Sequence, residues 1–145
     1  MKKLSLLALF LVLVTLFTAC GSSGLPTDEN KLITKLEEKG YEVRRTVGED
    51  RIAEYVEEYG LVMGDVTAIV HAEKKGKADD TLLTMGTFLY CKDEAILQSL
   101  KSAIESSLQE QFGIVNNPAY HNFCVKEKGL VVFFGTEKVW NTAND

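Results

Sequence analysis

The chain is poor in the residues that most often hold a metal or perform nucleophilic catalysis. Its 145 residues include only two histidines and three cysteines. The closest pair, His121 and Cys124, is separated by three positions, which places the two on opposite sides of a predicted strand, where they cannot chelate one ion. The sequence also lacks a Gly-x-Ser-x-Gly elbow, a Ser-x-x-Lys motif and a glycine-rich phosphate loop. We therefore expect no metal, no cofactor and no catalytic residue that a known motif would reveal.

An excess of positive charge is also missing. The chain carries 16 lysines and arginines against 21 aspartates and glutamates, a formal net charge of −5. A protein that binds nucleic acid through general electrostatics needs the opposite balance. The composition therefore excludes nucleic acid as a general partner.

Long apolar runs are absent except at the start of the chain. Leu4 to Phe17 is an uncharged, mostly apolar run of 14 residues, whereas a membrane-spanning helix needs about 20. Lys2 and Lys3 precede the run, and the small residues Thr18 and Ala19 follow it. A basic start, a short apolar core and small residues before a cleavage point predict a secretory signal peptide.

Cys20 follows this segment directly, and the residues before it resemble the lipobox of bacterial lipoproteins. Phe17-Thr18-Ala19-Cys20 matches three of the four lipobox positions, with Phe17 in place of a branched aliphatic residue. The resemblance implies that residues 1–19 are removed and that Cys20 receives lipid. It also implies a lipid-anchored protein on the extracytoplasmic face of the cell membrane, or on the outer membrane of a cell that has two. Cleavage removes two lysines and no acid, which moves the net charge to −7.

The mature chain divides into a tether and one domain. Gly21-Ser22-Ser23-Gly24 indicates a flexible segment that Pro26 stiffens at its end, so residues 20–26 are predicted to be the lipidated cysteine and its tether. Residues 27–145 form one predicted α+β domain, a length that suits a single hydrophobic core.

Periodicity predicts an antiparallel-dominated sheet of about five strands with helices on one face. Its middle follows the β-α-β-β-α-β order of a ferredoxin-like core, with an added N-terminal helix and a C-terminal strand and helix. Thr27 is the predicted cap of the first helix and Thr136 that of the last. The predicted helices are 28–39, 49–60, 93–112 and a short one after 136, and the predicted strands are 41–47, 66–72, 82–91, 120–126 and 130–134.

The strand from Leu130 to Phe134 is the most apolar of the set, yet a hairpin appended to a ferredoxin-like core would leave it at an edge. An exposed apolar edge invites aggregation unless something covers it. Either the strand lies inside the sheet, or the last helix or a partner covers it. If a partner does, Leu130, Val132, Phe134 and Trp140 are the predicted docking residues, and strand addition is the predicted mode.

Cys91 and Cys124 are the other two thiols. An extracytoplasmic location is oxidising and therefore permits a disulfide between them. Strand alternation turns Phe123 and Val125 toward the core and Cys124 away from it, which favours two free thiols over a disulfide.

Two functions remain open. The segment from Lys128 to Thr136 follows the pattern Lys-Gly-x-x-Val-x-x-Gly-Thr, which resembles the closing segment of small exported proteins from Firmicutes-type bacteria, for which no activity is implied. The first hypothesis is a membrane-tethered, non-enzymatic binding or adaptor module that contacts the membrane through Cys20 and another envelope protein. The alternative is a small extracytoplasmic hydrolase that pairs His71 with carboxylates such as Glu54, Glu57 or Glu58.

Overall fold

A computed structural model describes residues 24–47, 64–74, 84–112 and 122–145 of the chain. These residues form three helices and five strands. In chain order the elements are α1 (Glu29–Glu38), β1 (Glu42–Thr46), β2 (Val66–Lys74), β3 (Thr84–Cys91), α2 (Glu94–Phe112), β4 (Phe123–Lys128), β5 (Val131–Thr136) and α3 (Glu137–Asn144). No helix within these ranges is long and apolar enough to cross a membrane. The predicted helix 49–60 lies outside the described residues.

The start of α1 differs by one residue from its prediction. Asp28, not Thr27, caps the helix, and its Oδ1 accepts a hydrogen bond of 2.8 Å from the backbone N–H of Asn30. Gly40 follows the helix with a positive φ of 81°, a conformation that stops a helix and favours glycine. The helix thereby presents Leu32 and Leu36, both fully buried, to the sheet.

The five strands form one antiparallel sheet in the order β1-β2-β3-β5-β4. The register aligns Arg44 of β1 with His71 of β2, and His71 with Thr87 of β3. β5 lies between β3 and β4 and pairs with both. The apolar strand is therefore inside the sheet, which was one of the two arrangements that its composition allowed.

Both faces of the sheet are covered. On the first face, α1 and α3 pack over Val70, Phe88 and Phe133. On the second, α2 packs its buried residues Leu97, Leu100 and Ile104 over Ile69, Leu89 and Val132. We call these the α1/α3 face and the α2 face.

The predicted α+β class and the five-stranded antiparallel sheet are confirmed. The helices, however, lie on two faces and not on one, because β3 and β5 carry buried side chains on both of their sides and neither side can be left in water.

The ferredoxin-like order is present in only one half of the sheet. β3 and β4 run parallel on either side of β5, with α2 connecting them, which is a split β-α-β unit. β1 and β2 instead pair directly as antiparallel neighbours. The order of elements along a chain does not determine which strands become neighbours, so this difference could not be predicted.

Candidate functional site

The junction between the predicted tether and the domain is the first candidate site. Leu25 is only 8% exposed and belongs to the core cluster of the α1/α3 face. Its backbone N–H donates to Asn144 Oδ1 of α3 at 3.2 Å. An apolar side chain and a backbone hydrogen bond thus hold this residue on the domain.

Two neighbouring contacts fix the same segment. The Tyr90 hydroxyl of β3 donates to the carbonyl oxygen of Pro26 at 3.3 Å, and burial raises the pKa of that hydroxyl, aided by Glu29 and Asp28, which keeps it a donor. Lys128 Nζ donates to Asn144 Oδ1 at 3.1 Å. We call Leu25, Pro26, Tyr90, Lys128 and Asn144 the N-terminal clasp.

The clasp corrects the predicted tether. Composition predicts that Leu25 and Pro26 belong to the tether, but both residues contact the folded domain. Only three residues, 21–23, separate Cys20 from Gly24, where the described chain begins. Cys20 and the predicted signal peptide lie outside the described residues.

His71 is the centre of the second candidate site. Its Nδ1 is hydrogen-bonded to Thr87 Oγ1 at 2.9 Å, across the β2–β3 ladder. Its Nε2 lies 3.8 Å from Glu73 Oε2, and Arg44 Nη2 forms an ion pair with Glu73 Oε1 at 3.1 Å. Four polar side chains on the α2 face of three neighbouring strands therefore form one network, which we call the His71 network.

The electrostatics of the His71 network keep the imidazole neutral. Burial lowers the pKa of His71, the positive charge of Arg44 lowers it further, and Glu73 opposes both. A neutral imidazole between a hydroxyl and a carboxylate has the arrangement of a catalytic triad. In such a triad the hydroxyl is the nucleophile, the imidazole is the general base, and the carboxylate orients the imidazole. Thr87, however, is 3% exposed, and 3.8 Å exceeds hydrogen-bond reach. In this geometry the network gives the buried Thr87 hydroxyl a hydrogen-bond partner but does not expose that hydroxyl to a substrate.

The predicted carboxylate partners of His71 were Glu54, Glu57 and Glu58, all outside the described residues. The carboxylate that the structure places beside His71 is Glu73. The spacing i, i+2 on a strand puts two side chains on one face, so alternation alone could have identified this partner.

The predicted docking residues do not form one exposed surface. Val132 is fully buried, Phe134 and Trp140 are partly buried, and Leu130 is 42% exposed. Trp140 packs on Phe133 with ring centroids 5.3 Å apart. Strand addition along β5 is excluded, because β3 and β4 already pair with its two edges.

Cys91 and Cys124 are free thiols, so the disulfide considered for them does not form. Cys91 belongs to the cluster of the α2 face, whereas Cys124 packs against that of the α1/α3 face. The prediction that Cys124 turns away from the core is wrong, because both faces are core. Burial raises the pKa of Cys91 to about 11 and raises that of Cys124, so both thiols are protonated at neutral pH and are weak nucleophiles.

Within the described ranges, no three side chains among the histidines, cysteines, aspartates and glutamates converge as a metal site. Comparisons of the chain with known protein families, with curated proteins and with solved structures find no match.

Proposed function

We propose that this chain is a membrane-tethered lipoprotein of the cell envelope whose α+β domain is a non-enzymatic binding or adaptor module. The observation that carries the proposal is the order Lys2-Lys3, apolar run, Thr18-Ala19-Cys20, followed by a folded domain that begins within five residues of the cysteine. The order supports the proposal because a lipid on Cys20 would be separated from the folded domain by almost no spacer.

The chemistry of the anchor is that of the lipoprotein resemblance. A diacylglyceryl group from a membrane phospholipid is transferred to the Cys20 sulfur, which forms a thioether and loses its proton while the phospholipid releases its phosphate headgroup, and water then hydrolyses the peptide bond between Ala19 and Cys20. Each buried methylene contributes about 0.8 kcal/mol, so two or more acyl chains hold a protein on a bilayer where one does not. The other two thiols do not compete for this modification, because both are protonated. Cys91 is buried in the core, and Cys124 is partly buried.

Binding is favoured over catalysis by the state of the reactive groups. The thiols are protonated, and Thr87, whose hydroxyl is hydrogen-bonded to His71, is buried. The partner proposed is another envelope protein. Of the residues predicted to dock it, Leu130 has the greatest exposure and is the first to mutate.

Substitution of Cys20 tests the anchor. We expect Cys20→Ala to move the protein from the membrane fraction to the soluble extracytoplasmic fraction, as measured by fractionation and immunoblotting. Cys124→Ala is the matched control, since it removes a thiol of the folded domain, and it should stay with the membrane. Undiminished membrane retention of Cys20→Ala would overturn the lipoprotein proposal.

Crosslinking in intact membranes tests the adaptor role. Native protein should capture an envelope protein that Cys20→Ala no longer captures, because the untethered domain loses its high local concentration near the partner. A partner captured equally well by the untethered variant would show that tethering is not part of binding.

A small hydrolase is the second candidate, and the 2.9 Å contact between His71 and Thr87 is the observation that favours it. Ester hydrolysis by the native domain that is lost in Thr87→Val but kept in Thr34→Val, an exposed position on α1, would favour this candidate. The adaptor proposal expects no such difference.

A further inference from the structure

The first described residue, Gly24, and the exposed apolar side chains lie at one end of the molecule. The antiparallel register places the end of β1, the start of β2 and the turn between β4 and β5 at the same end of the sheet. Lys128, at that turn, donates to Asn144 of the N-terminal clasp, and its Nζ lies against Gly24. We call this the anchor end.

Two large apolar side chains of the described residues are substantially exposed, and both are at the anchor end. Val47 follows β1 and is 47% exposed, and Leu130 lies in the β4–β5 turn and is 42% exposed. Single exposed apolar residues are common on protein surfaces and need no explanation. What distinguishes this pair is that both lie at the end of the sheet where the described chain begins at Gly24.

The length of the remaining spacer limits how far this end can be from a bilayer. Cys20 and Gly24 are four residues apart, a span of at most about 14 Å. The clasp prevents Leu25 and Pro26 from extending that reach. Across the sheet, β1 and β5 are three strand spacings apart, or roughly 14 Å. Leu130 and Val47 are therefore two separated points at the end of the sheet where Gly24 also lies.

We propose that the anchor end rests on the lipid bilayer, with Leu130 and Val47 in contact with the membrane interface and the clasp setting the orientation. This inference rests on the proposed lipid anchor at Cys20. The contact is apolar in kind, because this end carries both acidic side chains, such as the helix caps Asp28 and Asp93, and basic ones, such as Lys92 and Lys128, and so presents no excess of one charge to the headgroups.

Fluorescence quenching by lipid tests the orientation. The lipidated full-length protein is placed on vesicles of phosphatidylcholine with brominated acyl chains, which quench tryptophan only at short range. The probes are Leu130→Trp and Val47→Trp at the anchor end, and Asn122→Trp, an exposed position at the opposite end, is the matched control. Each probe is made in a Trp140→Phe background, where it is the sole tryptophan. Each is also made with Trp140 present, and there the quenching that exceeds that of the native protein reports the contact of the probe with lipid.

Quenching at the two anchor-end probes should exceed that at Asn122→Trp by about threefold or more, as expected for side chains at the depth of the headgroups. Leu25→Asp, which breaks the clasp, should still float with the vesicles but lose this difference. Equal quenching at both ends, or stronger quenching at Asn122→Trp, overturns the inference.

Flotation of the same samples separates this inference from the proposal on which it rests. Protein that floats but shows no difference between the probes retains its anchor and lacks the orientation. Protein that does not float refutes the anchor at Cys20, and the orientation with it.

Discussion

At the scale of single residues, His71 is a polar group held inside a mostly apolar face. Its hydrogen bond to Thr87 satisfies a hydroxyl that burial would otherwise leave without a partner, a loss that costs about 1–3 kcal/mol. The same burial lowers the pKa of the imidazole below its ordinary value of 6.5. Protonation of His71 therefore destabilises the folded state relative to the unfolded chain.

That neutrality predicts how stability depends on pH. The unfolded histidine binds a proton more readily than the folded one, so the stability contributed by neutral His71 is complete above pH 6.5 and is lost as the pH falls from there toward the lowered pKa. Urea unfolding of native protein and of His71→Gln should show free-energy curves that converge between pH 7.5 and pH 5.5. Curves that stay parallel over this range would contradict the assignment.

Gly135 is a second residue whose role is set by its surroundings. Its φ is +149°, and a Cβ built there would lie 2.4 Å from the Cα of Gly86 and 2.5 Å from the carbonyl oxygen of Met85. These are backbone atoms, which cannot move aside as a side chain can. The paired glycines allow β3 and β5 to approach while the ring of Phe133 lies over Gly86.

Gly135→Ala should therefore lower the free energy of unfolding by about 3 kcal/mol, from the clash and the backbone strain together. Gly129→Ala is the matched control: its φ of +58° carries strain of about 1 kcal/mol, but nothing lies within 4 Å of the added Cβ. Chemical denaturation measures both, and equal losses would show that the close approach at Gly135 does not matter.

At the scale of elements, the N-terminal clasp joins Leu25 and Pro26, which have the composition of a linker, to three parts of the fold. Leu25 packs on the core, while β3, the end of β4 and α3 each provide a hydrogen-bonding side chain near it. Lys35 of α1 also donates to the carbonyl oxygen of Ala143 at 3.0 Å and ties α1 to the last turn of α3. The clasp therefore stabilises the packing of α3.

Leu25→Ala should lower the free energy of unfolding by about 2 kcal/mol, because it removes a buried side chain. Leu130→Ala makes the same chemical change at an exposed leucine and should alter stability by no more than about 0.5 kcal/mol in solution. Thermal and urea unfolding of the soluble domain compare the two. If Leu25→Ala were as mild as Leu130→Ala, residues 24–26 would be part of the tether after all.

At the scale of the whole molecule, one sheet separates two hydrophobic cores and contributes side chains to both. β2, β3 and β5 contribute side chains to the α1/α3 face and to the α2 face alternately. A cavity on one face therefore weakens the strands on which the other face depends. The two cores should unfold together.

Leu32→Ala on the α1/α3 face and Leu100→Ala on the α2 face, both fully buried, should each cost about 2–4 kcal/mol. Each variant should show a single transition, and near- and far-ultraviolet circular dichroism should report the same midpoint. Two separate transitions in either variant would show that the faces fold independently.

Much of the element order was predictable from local patterns. The heptad-like stripe of Leu97, Leu100 and Ile104 indicates α2, and the β-branched run after Val66 indicates β2, because each pattern matches the period of its own backbone. The position of Leu25 was not predictable, because its neighbours Gly24 and Pro26 have the composition of a linker and its partner Asn144 is 119 positions away.

The amino-acid sequence by itself determined the secondary structure of the described elements, the acidic balance and the lipobox-like order that ends at Cys20, since each depends on neighbouring residues. Only the tertiary structure decided that β5 is interior, that Cys91 and Cys124 lie on opposite faces, and that Leu25 is held in the clasp. These properties depend on which strands become neighbours and on which surfaces must be kept from water. Such choices are made by long-range packing, for which the local sequence carries no periodic signal.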